Sequence, residues 1–357
     1  MLTVGSICTG YGGLDQAVCA VLNAQVAWTS DISTGACKLA AHRWPDIPNL
    51  GDITAVSWHT VPTVDIICGG TPCQDVSLAG RRAGMTEGTR SNLWESMREA
   101  IHVIKPSIVV WENVPGARSA RAASAGDLES EPGPVGDADG KPVLRALGRV
   151  LGDLAGLGFD AEWRSIRASD VGACHRRERV FVLAWHPDRI ADARGWPPLS
   201  ASHEHRLARG YLDAQILDLM PTVRDPSSTG PGAHGDGGAD LQTAILHTPR
   251  ASRGASTTEN CSMITSQWGR YADTVARQEK AFGIPAPDPI EPGRNGTPRL
   301  SARFTEWMQG LPAGWICDVP GITRTESIEL AGNGVVPQQA KAALADMLPS
   351  ITEKATA

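Results

Sequence analysis

The sequence predicts an α/β protein with a doubly wound sheet, and three features indicate it. Short apolar runs rich in β-branched residues alternate with amphipathic helical patterns through the first half of the chain. Glycine-rich and polar segments follow those runs, at the carboxyl ends of the predicted strands, where open α/β sheets place their ligands. A later segment breaks this alternation. We therefore expect one large α/β domain and a second, smaller and irregular domain.

The predicted elements follow one another in the order that such a sheet requires. A capping box at 92–95 opens one helix, and Pro106 ends it. Regular structure returns at 300–309, and Pro337 starts a last helix. The predicted strands are 2–7, 26–30, 64–68, 107–111 and 179–185, and the other predicted helices are 14–22 and 143–157.

Two segments lie outside this alternation. Residues 119–142 are rich in Gly, Ala, Ser, Pro and acidic residues, which predicts a surface insertion. Residues 186–298 are Pro-, Gly- and Ser-rich with little sustained period, and they are too many for a loop. We therefore predict a large domain formed by 1–185 and 299–357, with 186–298 as the second domain.

The composition is that of an ordinary soluble globular protein, with 41% hydrophobic and 20% charged residues among 357. The sequence contains no apolar run of about 18 residues, so we expect no membrane span. It has no basic leader before an apolar run, so we expect no secretory signal. Eight scattered cysteines without a C-x-x-C pair predict no metal site or disulfide framework, and a cytoplasmic location. A net charge of −6 argues against a protein that coats nucleic acid with its whole surface, but it does not exclude a local basic face.

Thr71, Pro72 and Cys73 carry the most informative signal in the chain. The strand at 64–68 runs into two glycines, and Pro72 fixes the backbone immediately before the cysteine. This pattern places a small, polarisable nucleophile at the mouth of a strand. A single cysteine is more often a core residue, so the interpretation depends on other parts of the chain.

Further residues fit a nucleotide-like ligand and an acid. Gly10, Gly12 and Gly13 lie between a strand and a helix, where missing side chains let a ligand approach the backbone. Asp31 ends the second strand, where a carboxylate can accept both hydroxyls of a ribose. Glu112 follows four apolar residues, so burial would raise its pKa and let it donate to a ring nitrogen. Each residue taken alone could equally be a turn glycine, a solvated acid or a capping acid.

Taken together and in order, these motifs resemble those of the C5-cytosine DNA methyltransferases of bacteria and phages. The resemblance leaves out only about 119–142 and 186–298. It implies a Rossmann-like methyltransferase sheet for the large domain and a target-recognition domain for 186–298. The matching segments are 6–13, 30–32, 51–53, 69–74, 112–114, 175–181, 299–315 and 332–337.

The resemblance implies transfer of a methyl group from S-adenosylmethionine to C5 of a flipped-out cytosine in a specific double-stranded DNA sequence. Cys73 would add to C6, Glu112 would bind N3, Arg179 would contact O2, and Arg177 would hold Glu112 or a phosphate. The implied DNA contacts are Gln74, Ser77, Arg81, Arg82 and Arg90. The implied donor contacts are Cys8, Thr9, Gly10, Gly12, Gly13, Leu14, Asp31, Ile32, Asp52, Ile53, Gly70, Pro72, Leu93 and Asn333.

The chain departs from the family pattern at a few positions. Cys8, Thr71 and Val76 stand where the family commonly has Phe, and Cys174 with His175 stand where Pro and Gln are usual. None of these changes removes a group that the reaction needs, so they concern the packing around the donor.

Two other functions remain open from the sequence, an RNA (tRNA) cytosine-C5 methyltransferase and a catalytically silent DNA-binding relative. The bulk of 186–298 favours a DNA groove over RNA, and the presence of Cys73, Glu112 and Arg179 argues against a silent relative. For the DNA enzyme we expect a monomer in the cytoplasm of a bacterial or phage-infected cell, without membrane contact. A cognate restriction endonuclease is a further expected partner.

Overall fold

A computed structural model describes residues 1–71, 93–118, 146–192 and 268–355, and a six-stranded sheet forms its centre. The strands lie in the order β2-β1-β3-β4-β6-β5. The predicted α/β sheet is confirmed. Its strands are β1 (Leu2–Ile7), β2 (Ala24–Ser30), β3 (Ile66–Gly69), β4 (Ile108–Asn113), β5 (Asp160–Arg167) and β6 (Glu178–Trp185).

The sheet is parallel on one side and mixed on the other. β1 pairs in parallel with β2 and β3, and β3 pairs in parallel with β4. β6 runs antiparallel to both β4 and β5. The sequence analysis missed β5, whose residues DAEWRSIR show no clear apolar alternation. As an edge strand paired only with β6, β5 does not need the apolar composition of a central strand.

Helices accompany the sheet on both faces. The sequence predicts α1 and α3 closely but misses α2, whose apolar residues form no continuous stripe. The helices are α1 (Gly13–Leu22), α2 (Thr34–Arg43), α3 (Leu93–Ile104), α4 (Ala146–Gly156), α5 (Pro187–Asp192), α6 (Ala272–Phe282), α7 (Ala302–Met308), α8 (Arg324–Asn333) and α9 (Pro337–Ala355). A short hairpin of β7 (Ile290–Pro292) and β8 (Pro298–Leu300) lies between α6 and α7.

Two apolar layers lie on opposite faces of the sheet, because side chains alternate along each strand. On β4, Val110 belongs to the layer that contains α1 and α9, whereas Val109 and Trp111 belong to the layer of α3 and α4. On α9, Leu344 and Met347 are fully buried against this first layer. The last helix of the described chain therefore packs against the first helix.

The described parts of the predicted second domain are 186–192, which contains α5, and 268–298, whose helix α6 packs on the large domain. Gln278 of α6 is fully buried, donates from Nε2 to the Trp307 carbonyl at 2.6 Å, and accepts the Cys174 N–H at 2.7 Å. Phe282 packs with Val336. The domain boundaries stay a prediction, since 119–142 and 193–267 lie outside the described residues.

No helix in the part of the chain that the structure describes has both the length and the apolar character to cross a membrane. The six cysteines in that part are free thiols, and they contribute to no group of three or more potential metal ligands there.

Candidate active site

In the glycine turn after β1, Gly12 and Gly13 are packed against other parts of the protein, whereas Gly10 faces open space. A Cβ on Gly12 would lie 2.3 Å from the Trp44 ring, and one on Gly13 would lie 2.1 Å from the Val335 carbonyl oxygen. Gly10 has a φ of 57°, and a Cβ there would meet nothing within 4 Å. Gly12 and Gly13 are therefore required by contacts inside the protein, and Gly10 is the glycine that faces open space.

Asp31, at the end of β2, is oriented by two backbone donors. Its Oδ2 accepts the Gly10 N–H at 2.8 Å, and its Oδ1 accepts the Ser33 N–H at 2.8 Å. The adjacent Ile32 is 71% exposed, which is unusual for a large apolar side chain. The strand end thus offers a fixed carboxylate and an apolar surface beside the glycine turn.

The second acid motif lies next to Asp31. Ser30 Oγ donates to the Gly51 carbonyl at 2.7 Å, which joins the two loops. Asp52 is exposed, and the backbone N–H and hydroxyl of Thr54 lower the pKa of its carboxyl. Ile53 is only 6% exposed and packs in the core, so its side chain faces away from solvent.

Asn49 is a residue of this site that the sequence analysis missed. Its Nδ2 donates to the Asp31 carbonyl at 3.0 Å, and its Oδ1 accepts the N–H groups of Asp31 at 3.0 Å and Gly51 at 3.1 Å. One amide therefore fixes the spacing of the two acid motifs. The only signal in the sequence is a turn-forming Asn two residues before Gly51.

The remaining predicted donor contacts differ in exposure. Thr9 is buried and its hydroxyl pairs with Ser6 at 2.9 Å, while Leu14 is buried in the core beneath α1. Leu93 is half-buried at the start of α3, and Asn333 is exposed at the end of α8. Contacts from Leu14 to a ligand would have to come from its backbone.

Cys8 takes the place of the family's usual Phe and has a half-buried thiol with a left-handed backbone (φ 55°). Burial raises its pKa to about 12, and the charges of Asp31 and Asp52 add to the effect. The thiol is therefore neutral at physiological pH, and both predicted acids lie near it.

Glu112 occupies a dry position next to the end of β3. It is 7% exposed, and its Oε1 lies 2.9 Å from Nε of Arg179. A Cβ on Gly70 would lie 2.7 Å from Glu112 Oε2, so the glycine leaves the space that the carboxyl fills. Burial raises the pKa of Glu112, and this effect outweighs the opposing charges of Arg179 and Arg177.

The pairing of β4 with β6 explains why Arg179 contacts Glu112. Asn113 lies opposite Val180 in this antiparallel pair, so Arg179 stands directly beyond the end of β4. Arg177 is two residues further and donates from Nη1 to the Gly332 carbonyl at 2.7 Å. The structure thus pairs Glu112 with Arg179, whereas the sequence analysis expected Arg177 to hold either Glu112 or a phosphate.

His175 stands where the family usually has Gln, and it is 3% exposed. Its Nε2 lies 3.0 Å from the Met308 carbonyl oxygen, and its Nδ1 accepts the Arg177 N–H at 3.4 Å. Burial, followed by the charge of Arg177, lowers its pKa to about 4. The ring is therefore neutral, with one donor and one acceptor nitrogen, as a glutamine amide would also provide.

Thr71 is the last described residue before the predicted nucleophile. Its hydroxyl accepts the Trp111 indole N–H at 3.1 Å, and its carbonyl accepts the Asn113 amide at 3.3 Å. The chain therefore leaves the sheet beside Glu112. Outside the described residues lie Pro72, Cys73, Gln74, Ser77, Arg81, Arg82 and Arg90.

The sheet, the glycine turn tied to a strand-end acid, and the buried glutamate define an α/β protein of the Rossmann-like methyltransferase class. A profile of the family described as C-5 cytosine-specific DNA methylase matches residues 2–348, so the chain belongs to that family. The methyl donor of this family is S-adenosylmethionine. The fold is also that of Schizosaccharomyces pombe Dnmt2 methyltransferase, with a TM-score of 0.53 and 13% identity over 98% of this chain and 99% of that one.

Two curated relatives illustrate the similarity. The chain is 29% identical over 223 residues to the type II methyltransferase M.NgoFVII of Neisseria gonorrhoeae, which is 60% of this chain and 52% of that protein. It is 32% identical over 214 residues to a protein of Escherichia phage P1 named a DNA N-6-adenine-methyltransferase, which is 51% of this chain and 28% of that protein. The matches thus cover about a quarter to a half of the length of these relatives.

Proposed function

We propose that the protein transfers a methyl group from S-adenosylmethionine to C5 of cytosine in double-stranded DNA. The observation that carries the proposal is the buried Glu112 carboxyl, which lies 2.9 Å from Arg179 and against Gly70, beside the point where the chain leaves toward Cys73. Membership of the C-5 cytosine-specific DNA methylase family supports the same reaction.

The chemistry requires both a nucleophile and an acid. Cytosine C5 is too weak a nucleophile, and addition of the Cys73 thiolate to C6 makes the ring enamine-like. Glu112, whose pKa is raised by burial, donates a proton toward N3 and stabilises the charge that develops on the ring. The C5 carbon then takes the methyl group from the sulfonium of the donor, whose sulfur–methyl bond breaks. Loss of the C5 proton to a base afterwards breaks the bond between C6 and sulfur, and Cys73 leaves as the thiolate. Since C6 is shielded in a duplex, the base must first flip out, at a cost of a few kcal/mol.

The residues at the ends of β1 and β2 fit the donor, which supplies an electrophilic methyl group. Gly10 faces open space, and the Asp31 carboxylate, acceptor only, suits ribose hydroxyls. Asp52 suits the adenine amino group, and the exposed Ile32 suits the face of its ring. Further proposed contacts are Cys8, Thr9, Gly12, Gly13, Leu14, Ile53, Gly70, Pro72, Leu93 and Asn333.

We assign the catalytic domain to 1–185 with 299–357, and target recognition to 186–298. Phosphate and base contacts are assigned to Gln74, Ser77, Arg81, Arg82 and Arg90. Relatives named type II methyltransferases support a role in DNA modification within a restriction–modification system. A cognate endonuclease, a monomeric state and a cytoplasmic location belong to this proposal.

The test supplies tritiated S-adenosylmethionine with duplex DNA, with tRNA and with no substrate. Label is expected in duplex DNA, and digestion to nucleosides should identify it as 5-methylcytosine. Label in tRNA alone would indicate an RNA enzyme, and DNA binding without label would indicate a silent relative. N6-methyladenine would contradict the proposal, since an exocyclic amine needs no thiolate addition to its ring.

A further inference from the structure

Two buried side chains of β4 hold Thr71. The Trp111 indole donates to the Thr71 hydroxyl at 3.1 Å, and the Asn113 amide donates to the Thr71 carbonyl at 3.3 Å. Thr71 is 3% exposed, Trp111 0% and Asn113 2%. Because a buried donor or acceptor that loses its partner costs about 1–3 kcal/mol, this arrangement resists displacement of Thr71.

Glu112 lies between these two side chains in sequence and points to the opposite face of the sheet. The register of β3 with β4 places Gly69 opposite Trp111, so the next two residues pass alongside Glu112 and Asn113. Gly70 makes room for the carboxyl, as its Cβ would lie 2.7 Å from Oε2. One strand end therefore seats the carboxyl on one face and holds Thr71 on the other.

The Trp111 ring is itself held from a second direction. Trp94 of α3 meets it edge-on, with ring centroids 6.1 Å apart and planes at 72°. Trp94 is fully buried and donates from Nε1 to Asp153 Oδ2 at 2.8 Å. Because packing and this hydrogen bond fix Trp94, the Trp111 indole has a defined orientation toward Thr71.

We propose that Trp111 is a positioning residue for methyl transfer, because it fixes Thr71, two residues before Cys73, relative to the Glu112 carboxyl. This inference rests on the proposed function, in which Cys73 adds to C6 while Glu112 holds N3 of the same ring. Both groups must reach one base at once, and a misplacement of about 1 Å can cost about a hundredfold in rate. Thr71, where the family commonly has Phe, supplies the hydroxyl that the indole requires.

Single-turnover methyl transfer at saturating donor and duplex DNA tests this role. Thr71→Val and Trp111→Phe each remove the hydrogen bond, and each should slow transfer about tenfold or more while donor Kd stays within about twofold. The double variant should be no slower than the slower single variant, because both changes remove one interaction. Thr71→Ser keeps the hydroxyl and should stay within about threefold of the parent rate.

Trp28→Phe is the matched control. Trp28 is fully buried in the same apolar layer, and its indole N–H donates to the Pro62 carbonyl at 3.1 Å. This variant should lose thermal stability without slowing transfer. Parental rates for Thr71→Val, additive effects in the double variant, or an equal slowing by Trp28→Phe would overturn the positioning role. A parent protein that methylates no cytosine would instead overturn the proposed function, and this inference with it.

Discussion

At the scale of single residues, the site contains groups whose pKa values are shifted by burial. Glu112 is the clearest case, because desolvation raises its pKa although two arginines lie near it. Burial likewise raises the pKa of the Cys8 thiol and lowers the pKa of His175.

The proposed nucleophile gives the first prediction. Cys73→Ser should abolish turnover and leave DNA binding intact, since an alkoxide is not available near neutral pH. The parent should also form a stable adduct with duplex DNA that contains 5-fluorocytosine, because fluorine cannot leave as a proton does. Denaturing gels measure the adduct. Methylation by Cys73→Ser within about tenfold of the parent would refute the role of Cys73.

Glu112→Gln keeps the shape of the side chain but cannot supply the acidic proton. Transfer should slow by about two orders of magnitude or more while donor affinity is unchanged. The parent should also lose activity at high pH as Glu112 ionises, a limb that the variant should lack. Single-turnover rates across pH, with donor Kd from calorimetry, measure both. Loss of donor affinity with a normal rate per bound donor would make Glu112 a donor ligand instead.

Asp15 on α1 gives a prediction on stability. It is 2% exposed, and burial raises its pKa to about 6 from 3.8. The folded state therefore favours the protonated acid, so its contribution to stability is full below about pH 4 and is lost as pH rises through about 6. A shift of about two units corresponds to about 3 kcal/mol.

We therefore compare the free energy of unfolding of Asp15→Asn with that of the parent. The difference should favour the variant more at pH 8 than at pH 5. Urea unfolding at the two pH values measures the difference. Asp46→Asn, at an exposed acid, is the control and should show little change. Identical pH dependence of parent and Asp15→Asn would show that the buried acid does not control stability.

At the scale of elements, the connection between α8 and α9 supports the glycine turn. Tyr11 is fully buried and its hydroxyl donates to the Val335 carbonyl at 2.6 Å. The Trp315 indole donates to the Tyr11 carbonyl at 3.0 Å. Residues more than 300 positions apart therefore fix the turn that faces the proposed donor site.

Tyr11→Phe removes the hydroxyl and leaves the buried Val335 carbonyl without that donor. We expect a loss of about 1–3 kcal/mol in unfolding free energy and weaker donor binding, with the rate at saturating donor retained. Calorimetry of donor binding and urea unfolding measure these effects. Unchanged donor affinity in a destabilised variant would mean that the hydroxyl supports the fold but not the donor site.

The elements that the sequence predicts and those that it misses differ in their packing. β1, β3 and β4 are apolar runs buried on both faces, so their composition alone indicates strands. β5 has mostly polar residues, and pairing with β6 makes it a strand. α2 lacks a strong apolar stripe, and its helical state depends on packing of Ala36 and Leu39 against the region of α8.

At the scale of the whole molecule, we expect sequence specificity to lie in the second domain, because base-edge readout needs polar and cationic side chains shaped to one target. Exchange of 193–267 for the corresponding segment of a relative should change which cytosine is methylated and leave the chemical step broadly intact. This exchange spares α6, whose Gln278 and Phe282 pack on the large domain. Bisulfite sequencing of DNA from expressing cells reads the target.

Single Arg→Ala changes in that segment should fall into two classes. Loss of a base contact should cost about 1–3 kcal/mol and relax the target at one position, whereas loss of a phosphate contact should weaken all sequences alike. A chimera that keeps the parental target would place readout in the catalytic domain. The arginines concerned are Arg206, Arg209, Arg224, Arg250 and Arg253.

The sequence by itself determined the α/β class, the family and the motif residues, because short-range periodicity and ordered motifs are properties of neighbouring residues. Only the tertiary structure decided which partners those residues have. The register of β4 with β6 places Arg179 where it forms an ion pair with Glu112. The loop before Gly51 places Asn49 within hydrogen-bond distance of Asp31. The contact of Trp111 with Thr71 likewise joins two strands. Such contacts depend on distances between residues far apart in the chain, which folding sets and local patterns do not encode.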